Sequence, residues 1–263
     1  MQSTSSAKSL GKAEALPALE RLGLRLQRGA GLLCFPLLGS AAVGLMRFAM
    51  GYRIPNLKHL RRRARALVGK ERKPLIICAN HLTLIDSAVI EWALASTWTY
   101  TFKFWRLPWS LPEKRNYAHN PFLSALCYLF KCVPVVRGGP ATQTQRTLGK
   151  LSYLLNRGEA LFIFPEGTRS ADGRVNTQEF GYGVGRLLTQ VAGAQVLCVY
   201  QRGQGQEGAS SLPRRGSVFY TDMALIQPTS QSTGLRAARD LSAQIVEQLH
   251  RMEQKYFATP HRQ

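Results

Sequence analysis

The segment Asn80-His81-Leu82-Thr83-Leu84-Ile85-Asp86 sets a histidine five residues before a carboxylate, directly after the apolar run Pro74–Cys78. That run reads as a strand buried on both faces, which puts His81 in the following turn and Asp86 in the first turn of the next helix. A carboxylate is favoured there by the helix dipole. If the turn folds back, Asp86 accepts a hydrogen bond from one ring nitrogen, and the other faces the cleft as a proton acceptor. This is a base with its orienter, two-thirds of a serine-hydrolase triad. No G-x-S-x-G nucleophile motif accompanies the pair. The attacking group would then be a substrate hydroxyl deprotonated by His81. Taken alone, the same spacing also fits a histidine that only caps a helix.

Two further segments carry groups suited to anions. Phe164-Pro165-Glu166-Gly167-Thr168-Arg169-Ser170 follows the apolar run Ala160–Phe164. Gly167 permits a tight turn. Arg169 with the Thr168 and Ser170 hydroxyls suits phosphate oxygens, since a guanidinium binds them in bidentate fashion. Glu166 has two uses, bonding acceptor hydroxyls or orienting Arg169 in a structural ion pair. Arg137, after Val133–Val136, is a second phosphate candidate.

These segments need a scaffold that gathers them. Pro74–Cys78, Val133–Val136, Ala160–Phe164 and Val196–Tyr200 read as buried strands, with Ser217–Tyr220 as a candidate fifth. Helical patterns lie near 84–96, 121–130, 142–156, 179–192 and 235–257. In the last, Leu235, Ala238, Leu241, Ile245, Leu249, Met252 and Tyr256 recur at three- and four-residue spacing, with Pro260 as its stop. Strands alternating with helices predict an α/β layered domain with a largely parallel sheet. Ligands of such folds sit at the carboxyl ends of the strands, where the three segments fall. The Gly- and Ser-rich stretch 203–215 reads as a surface loop.

The chain has 263 residues, 35 Lys+Arg against 15 Asp+Glu, and a formal charge of +20. A charge that large predicts an anionic partner. Residues 1–75 hold 15 of the cations and only 3 acids. Within them Gly29–Met46 is uncharged and apolar. Arg21, Arg25 and Arg28 precede it and Arg47 follows, an arrangement expected at lipid headgroups. It predicts a segment that dips into or spans a bilayer, although a buried helical hairpin has the same composition. Arg61-Arg62-Arg63 with Arg65, Lys70, Arg72 and Lys73 adds a second basic cluster suited to an anionic membrane surface. No nucleic-acid-binding signature accompanies it, so no nucleic acid is expected as a partner. The division expected is residues 1–70 as an N-terminal membrane-associating segment and 71–263 as the domain that carries the chemistry. The five cysteines form no C-x-x-C pair and read as free thiols of a reducing compartment, with no metal site.

In order and spacing, the three segments resemble the glycerolipid acyltransferase family. Asn80, His81 and Asp86 match its N-H-x-x-x-x-D motif, Val133–Arg137 a second motif ending in Arg, and Phe164–Ser170 its F-P-E-G-T-R-S motif. The resemblance covers roughly residues 74–202. It implies transfer of a fatty acyl group from acyl-CoA or acyl carrier protein to a hydroxyl of a lysophospholipid-like acceptor, as in 1-acylglycerol-3-phosphate acyltransferases, at the cytoplasmic face of a membrane. It implies a catalytic dyad of His81 and Asp86. It also implies acceptor binding by Arg137, Glu166, Gly167 and Arg169, with Thr168 and Ser170, and no cofactor beyond the acyl donor. This sequence departs from the family in having no Pro in Val196–Tyr200, and Phe180-Gly181-Tyr182-Gly183 where many members have Phe-Lys-x-Gly. The acceptor therefore stays open to a specialised non-glycerol lipid. A basic membrane-binding protein that keeps the fold without catalysis is the alternative of a different class.

Overall fold

The computed structural model describes residues 16–259; what the sequence suggests for residues 1–15, and for Pro260 as a helix stop, lies outside the described residues. Five strands form one sheet: β1 (Leu75–Ala79), β2 (Trp109–Ser110), β3 (Ala160–Ile163), β4 (Gln195–Gly203) and β5 (Phe219–Ile226), in the order β2-β3-β1-β4-β5. Strands β2, β3, β1 and β4 run parallel, and β5 pairs antiparallel to β4 at the edge. The largely parallel α/β sheet read from the sequence is the observed architecture.

Helices cover both faces. All five residues of β1 are buried, and alternate ones serve opposite layers. Ile76 and Cys78 join Leu151 and Leu155 of α6 (Ala141–Asn156), Leu187 of α7 (Gly183–Gln190) and Ile245 and Leu249 of α8 (Gly234–Ala258). Leu75, Ile77 and Ala79 join Leu60 and Ala64 of α2 (Leu57–Val68) and Val89, Ile90 and Trp92 of α3 (Asp86–Leu94). This two-sided burial is why the central strands are continuous apolar runs rather than alternating ones.

Three readings need correction. Val133–Val136 is not a strand: Pro134 offers no N–H to a ladder, and Val135 makes only an isolated bridge to Glu113. The edge strand in its place is β2, two residues long, too short to leave a periodic signal. The pattern over 84–96 divides into α3 and α4 (Thr97–Phe102), because Ser96 caps α4 by accepting the Thr99 N–H. The pattern over 179–192 is helical only across α7.

The apolar N-terminal run is not a hairpin. It lies in one helix, α1 (Ala18–Gly44), which contains Pro36 and continues as a π-helical turn over Leu45–Ala49. By length and composition this stretch could cross a bilayer: its most apolar window has a mean hydropathy of 1.8 and is only 22% buried. Its buried residues Leu24, Gln27, Gly31, Phe35 and Gly39 follow helical spacing, and α1 rests on α4 and α5 (Pro121–Leu129). A Cβ at Gly31 would lie 2.7 Å from the Leu129 carbonyl oxygen, so only glycine allows this approach. The opposite face exposes Leu19, Leu22, Leu26, Leu33, Leu37 and Phe48.

Arg28, expected at headgroups, instead points into the protein. Its Nε meets Glu159 Oε1 at 2.9 Å. Glu159 also receives Arg72 Nη2 at 2.9 Å, Lys131 Nζ at 2.8 Å and Trp109 Nε1 at 3.1 Å. Burial works against the charge on Glu159, but Lys131 and Arg28 together hold the carboxyl below its ordinary value. Lys131 is fully buried and spends its other protons on the Phe104 and Leu107 carbonyls. Glu159→Leu would strand a buried ammonium and is expected to cost about 3–5 kcal/mol, measured by denaturant unfolding. A loss below about 1 kcal/mol would show that the cluster does not hold α1 to the sheet.

Candidate active site

Strand register places the first two chemical groups. Cys78 pairs with Ile163 in the parallel ladder, so three residues further on His81 comes level with Glu166. The His81 N–H donates to Glu166 Oε1 at 3.3 Å, and Glu166 Oε2 accepts the Asn176 N–H at 3.4 Å. On the other side Ala79 pairs with Val199. The Asn80 side chain bridges to β4 with two bonds, Nδ2 to the Gln201 carbonyl and the Gln201 N–H to Oδ1, both 2.9 Å. The start of the turn after β1 is thereby clamped to both neighbouring strands.

The turn folds back on itself as the pattern suggested. Asp86 Oδ2 accepts the Leu82 N–H at 2.6 Å and the Thr83 N–H at 2.7 Å, and lies 3.1 Å from His81 Nδ1. Asp86 Oδ1 accepts the Thr83 hydroxyl at 2.5 Å. With a proton on Nδ1 shared with Asp86, His81 Nε2 is left as the basic lone pair. The imidazole stacks on Phe164 with centroids 3.8 Å apart and planes at 13°, which fixes its plane, and its side chain stays 15% exposed. Among the described residues Nε2 has no hydrogen-bond partner, so it is available to a ligand.

The Phe164–Ser170 segment wraps this turn. Gly167 has φ +72 and its N–H donates to the Phe164 carbonyl, a tight turn that glycine adopts without strain. The Ser170 N–H donates to the His81 carbonyl at 3.0 Å. The Ser170 hydroxyl lies 2.7 Å from Asp172 Oδ1 and 2.5 Å from the Arg174 carbonyl, so it braces its own loop. Thr168 and Arg169 are exposed, and Arg169 Nη1 donates to the Ser210 carbonyl at 3.1 Å. The loop after β4 is more than a surface loop: Ser210 N–H donates to the Leu82 carbonyl and Leu84 N–H to the Ser211 carbonyl, making it a wall of the site.

Arg137 stands on the opposite flank, beside β2. It follows an extended segment instead of a sheet strand. Its Nε lies 3.1 Å from Glu113 Oε2, and its N–H donates to Glu113 Oε1 at 3.4 Å. Glu113 is buried while Arg137 is half exposed, so the guanidinium is oriented from below and open above. Thus the turn after β1, with His81 and Asp86, meets the turn after β3, with Glu166 and Gly167, and Arg169 and Arg137 are anchored on either side. Asn80, Thr83, Glu113 and Phe164 had no assigned role in the sequence reading, because each acts through a partner found only in the fold or hidden in the turn. Among the described residues no cluster of three or more metal-ligating side chains occurs.

Comparison with known proteins gives the family and the fold. A protein-family model described as Acyltransferase matches residues 53–201, and the chain belongs to that family. The fold is that of the crystal structure of the 1-acyl-sn-glycerophosphate (LPA) acyltransferase PlsC from Thermotoga maritima. The two share 17% sequence identity at a TM-score of 0.51, over 93% of this chain and 99% of the other.

Burial raises the Glu166 carboxyl to about 7, against the pull of the two N–H groups it accepts. The folded protein therefore holds this proton more tightly than the unfolded chain does. The stability of the neutral carboxyl is present at low pH and is lost as pH rises from 4.5 to about 7, by up to about 3 kcal/mol. Glu166→Gln, uncharged at every pH, should show a smaller fall in Tm between pH 5 and 8 than the unaltered protein. Parallel Tm curves would show that Glu166 ionises as freely as in the unfolded chain.

Proposed function

We propose that this acyltransferase moves a fatty acyl group from acyl-CoA or acyl carrier protein to a hydroxyl of a lysophospholipid-like acceptor, in the manner of 1-acylglycerol-3-phosphate acyltransferases. The observation that carries the reading is the 3.1 Å contact of His81 Nδ1 with an Asp86 carboxylate already fixed by two backbone N–H groups and a hydroxyl. The imidazole has one tautomer available to it and an unengaged Nε2.

In the reaction, Nε2 of His81 takes the proton of the acceptor hydroxyl as its oxygen attacks the thioester carbonyl. Asp86 stabilises the imidazolium that forms. The tetrahedral intermediate collapses with loss of the thiolate, which is reprotonated from His81, leaving an ester and a free thiol. No acyl-enzyme forms, because the acceptor is itself the nucleophile. The N–H groups of Leu82, Thr83, Leu84 and Asp86 already have protein acceptors, so the donors to the developing oxyanion lie elsewhere on the rim. Arg137 and Arg169 hold the acceptor phosphate from two sides, with Glu166 and the Gly167 turn between them.

The membrane supplies the acceptor. The exposed leucines of α1, Trp98 and Phe102 of α4 and Phe122 of α5 are apolar side chains open to a bilayer on helices that pack together. Arg21, Arg25 and Arg47 near its ends suit an anionic leaflet on the cytoplasmic side.

Three measurements test this. Purified protein incubated with a panel of lysolipids and either acyl donor should yield diacyl products by mass spectrometry. His81→Ala should abolish turnover, and Asp86→Asn should lower kcat by about 10³–10⁴-fold, with co-sedimentation on anionic vesicles unchanged. Retained turnover in His81→Ala removes the proposed base. Rapid-quench labelling with a radioactive acyl donor should leave no label on the protein, and a stable protein-bound acyl group would contradict direct transfer.

A further inference from the structure

Four half-buried arginines are matched to carboxylates, Arg63 to Asp222, Arg28 and Arg72 to Glu159 and Arg137 to Glu113, while the buried Arg202 is satisfied by three main-chain carbonyls and the Tyr200 hydroxyl. Around one cavity the partly buried Arg61 and Arg106, with the exposed Arg65 beside them, have no carboxylate and fewer bonds. Arg61 and Arg65 of α2 and Arg106 border a space of about 170 Å³ between α2, α4 and the sheet. Their hydrogen bonds go to main-chain carbonyls: Arg61 Nη2 to Trp92 at 2.9 Å, Arg65 Nε to Arg61 at 3.3 Å, Arg106 Nη2 to Gly69 at 2.5 Å. Arg61 Nε is buried with no partner. Burial lowers the pKa of both Arg61 and Arg106, which means that each is charged in surroundings that resist the charge. Partly desolvated cations without a counter-charge cost free energy, and an anion among them would offset it.

The interior of the cavity is apolar, walled by Leu75, Ile77, Leu94 and Leu197. Beside it α4 exposes the stacked rings of Trp98 and Phe102, centroids 6.2 Å apart, on the face read above as membrane-facing. Leu75 opens β1, whereas His81 lies beyond its far end, so the strand itself separates cavity and catalytic turn by ~13 Å. An acyl chain threaded from the catalytic turn would present its methyl end here, where three guanidinium groups have nothing to bind.

We propose that this cavity is a second lipid site, taking an amphiphile whose carboxylate or phosphate head is held by Arg61, Arg65 and Arg106 and whose first methylenes enter the apolar interior. The site does not depend on the catalytic reading. It serves either a free fatty acid or an anionic phospholipid, since both present the same pairing of anion and chain.

Isothermal titration of the full chain in a non-ionic detergent distinguishes these sources. The probes are oleate, dioctanoyl phosphatidate, dioctanoyl phosphatidylcholine and inorganic phosphate. At least one anionic amphiphile should bind one per chain, at least tenfold tighter than the zwitterion or phosphate. Binding of oleate alone assigns a fatty acid, and binding of phosphatidate assigns a phospholipid. Arg65→Gln with Arg106→Gln should weaken binding at least tenfold, as should Ala95→Trp, which fills the cavity, and each should lose the ligand-induced rise in Tm. His81→Ala should bind as the unaltered protein does. Equal binding of the zwitterion, unchanged affinity in both cavity variants, or a parallel loss in His81→Ala would overturn the assignment.

Discussion

One carboxylate holds the turn after β1 closed. Asp86 gathers two backbone N–H groups, one hydroxyl and the imidazole of His81, all within six residues of chain. Four donors on one carboxylate leave the turn a single conformation, and everything chemical is positioned relative to it. The parallel register sets Glu166 level with His81, the Asn80 amide ties the turn to β4, and the Ser170 N–H and the Ser210 main chain close on it from two further loops. Remote arginines can then be anchored independently, Arg137 on Glu113 and Arg169 on Ser210, and still face a fixed target.

A second hub sets how the N-terminal helix meets the sheet. Glu159 stands just before β3 and collects cations from α1, from the chain before β1 and from the end of α5. Removing any one partner would leave others partly desolvated, so these contacts act together. The Gly31 approach to α5 and the aromatic group around Phe35 continue the same seam. The apolar helix α1 is thus part of the framework around the sheet.

What could be read in advance follows from how local each feature is. The His81–Asp86 contact spans five residues and was legible from the sequence, as were β1, β3 and β4, whose two-sided burial leaves unbroken apolar runs. Val133–Val136 has the same apolar look, but Pro134 keeps it from a ladder, and pattern alone does not weigh one missing N–H. Strand β2 was invisible because two residues have no period. Arg28 was misplaced because its neighbours in sequence are apolar while its partner, Glu159, is 131 residues away. Glu113 beneath Arg137 escaped notice for the same reason. The family resemblance held, and the fold agrees with it. The chemical roles of the individual site residues rest on the geometry given above.

Among the described residues the carboxylates of Asp86, Glu91, Glu113, Glu159, Glu166, Asp222 and Glu253 are turned inward. With only 15 acids in the chain, the outer surface is left short of negative groups, and its cations have few neighbours of opposite sign. Dissolved ions, with a Debye length of about 8 Å at physiological strength, become their main counterweight. Ionic strength therefore governs how strongly this molecule is drawn to charged surroundings more than it governs whether the chain stays folded, because the carboxylates of its principal ion pairs are buried even where their cationic partners reach solvent.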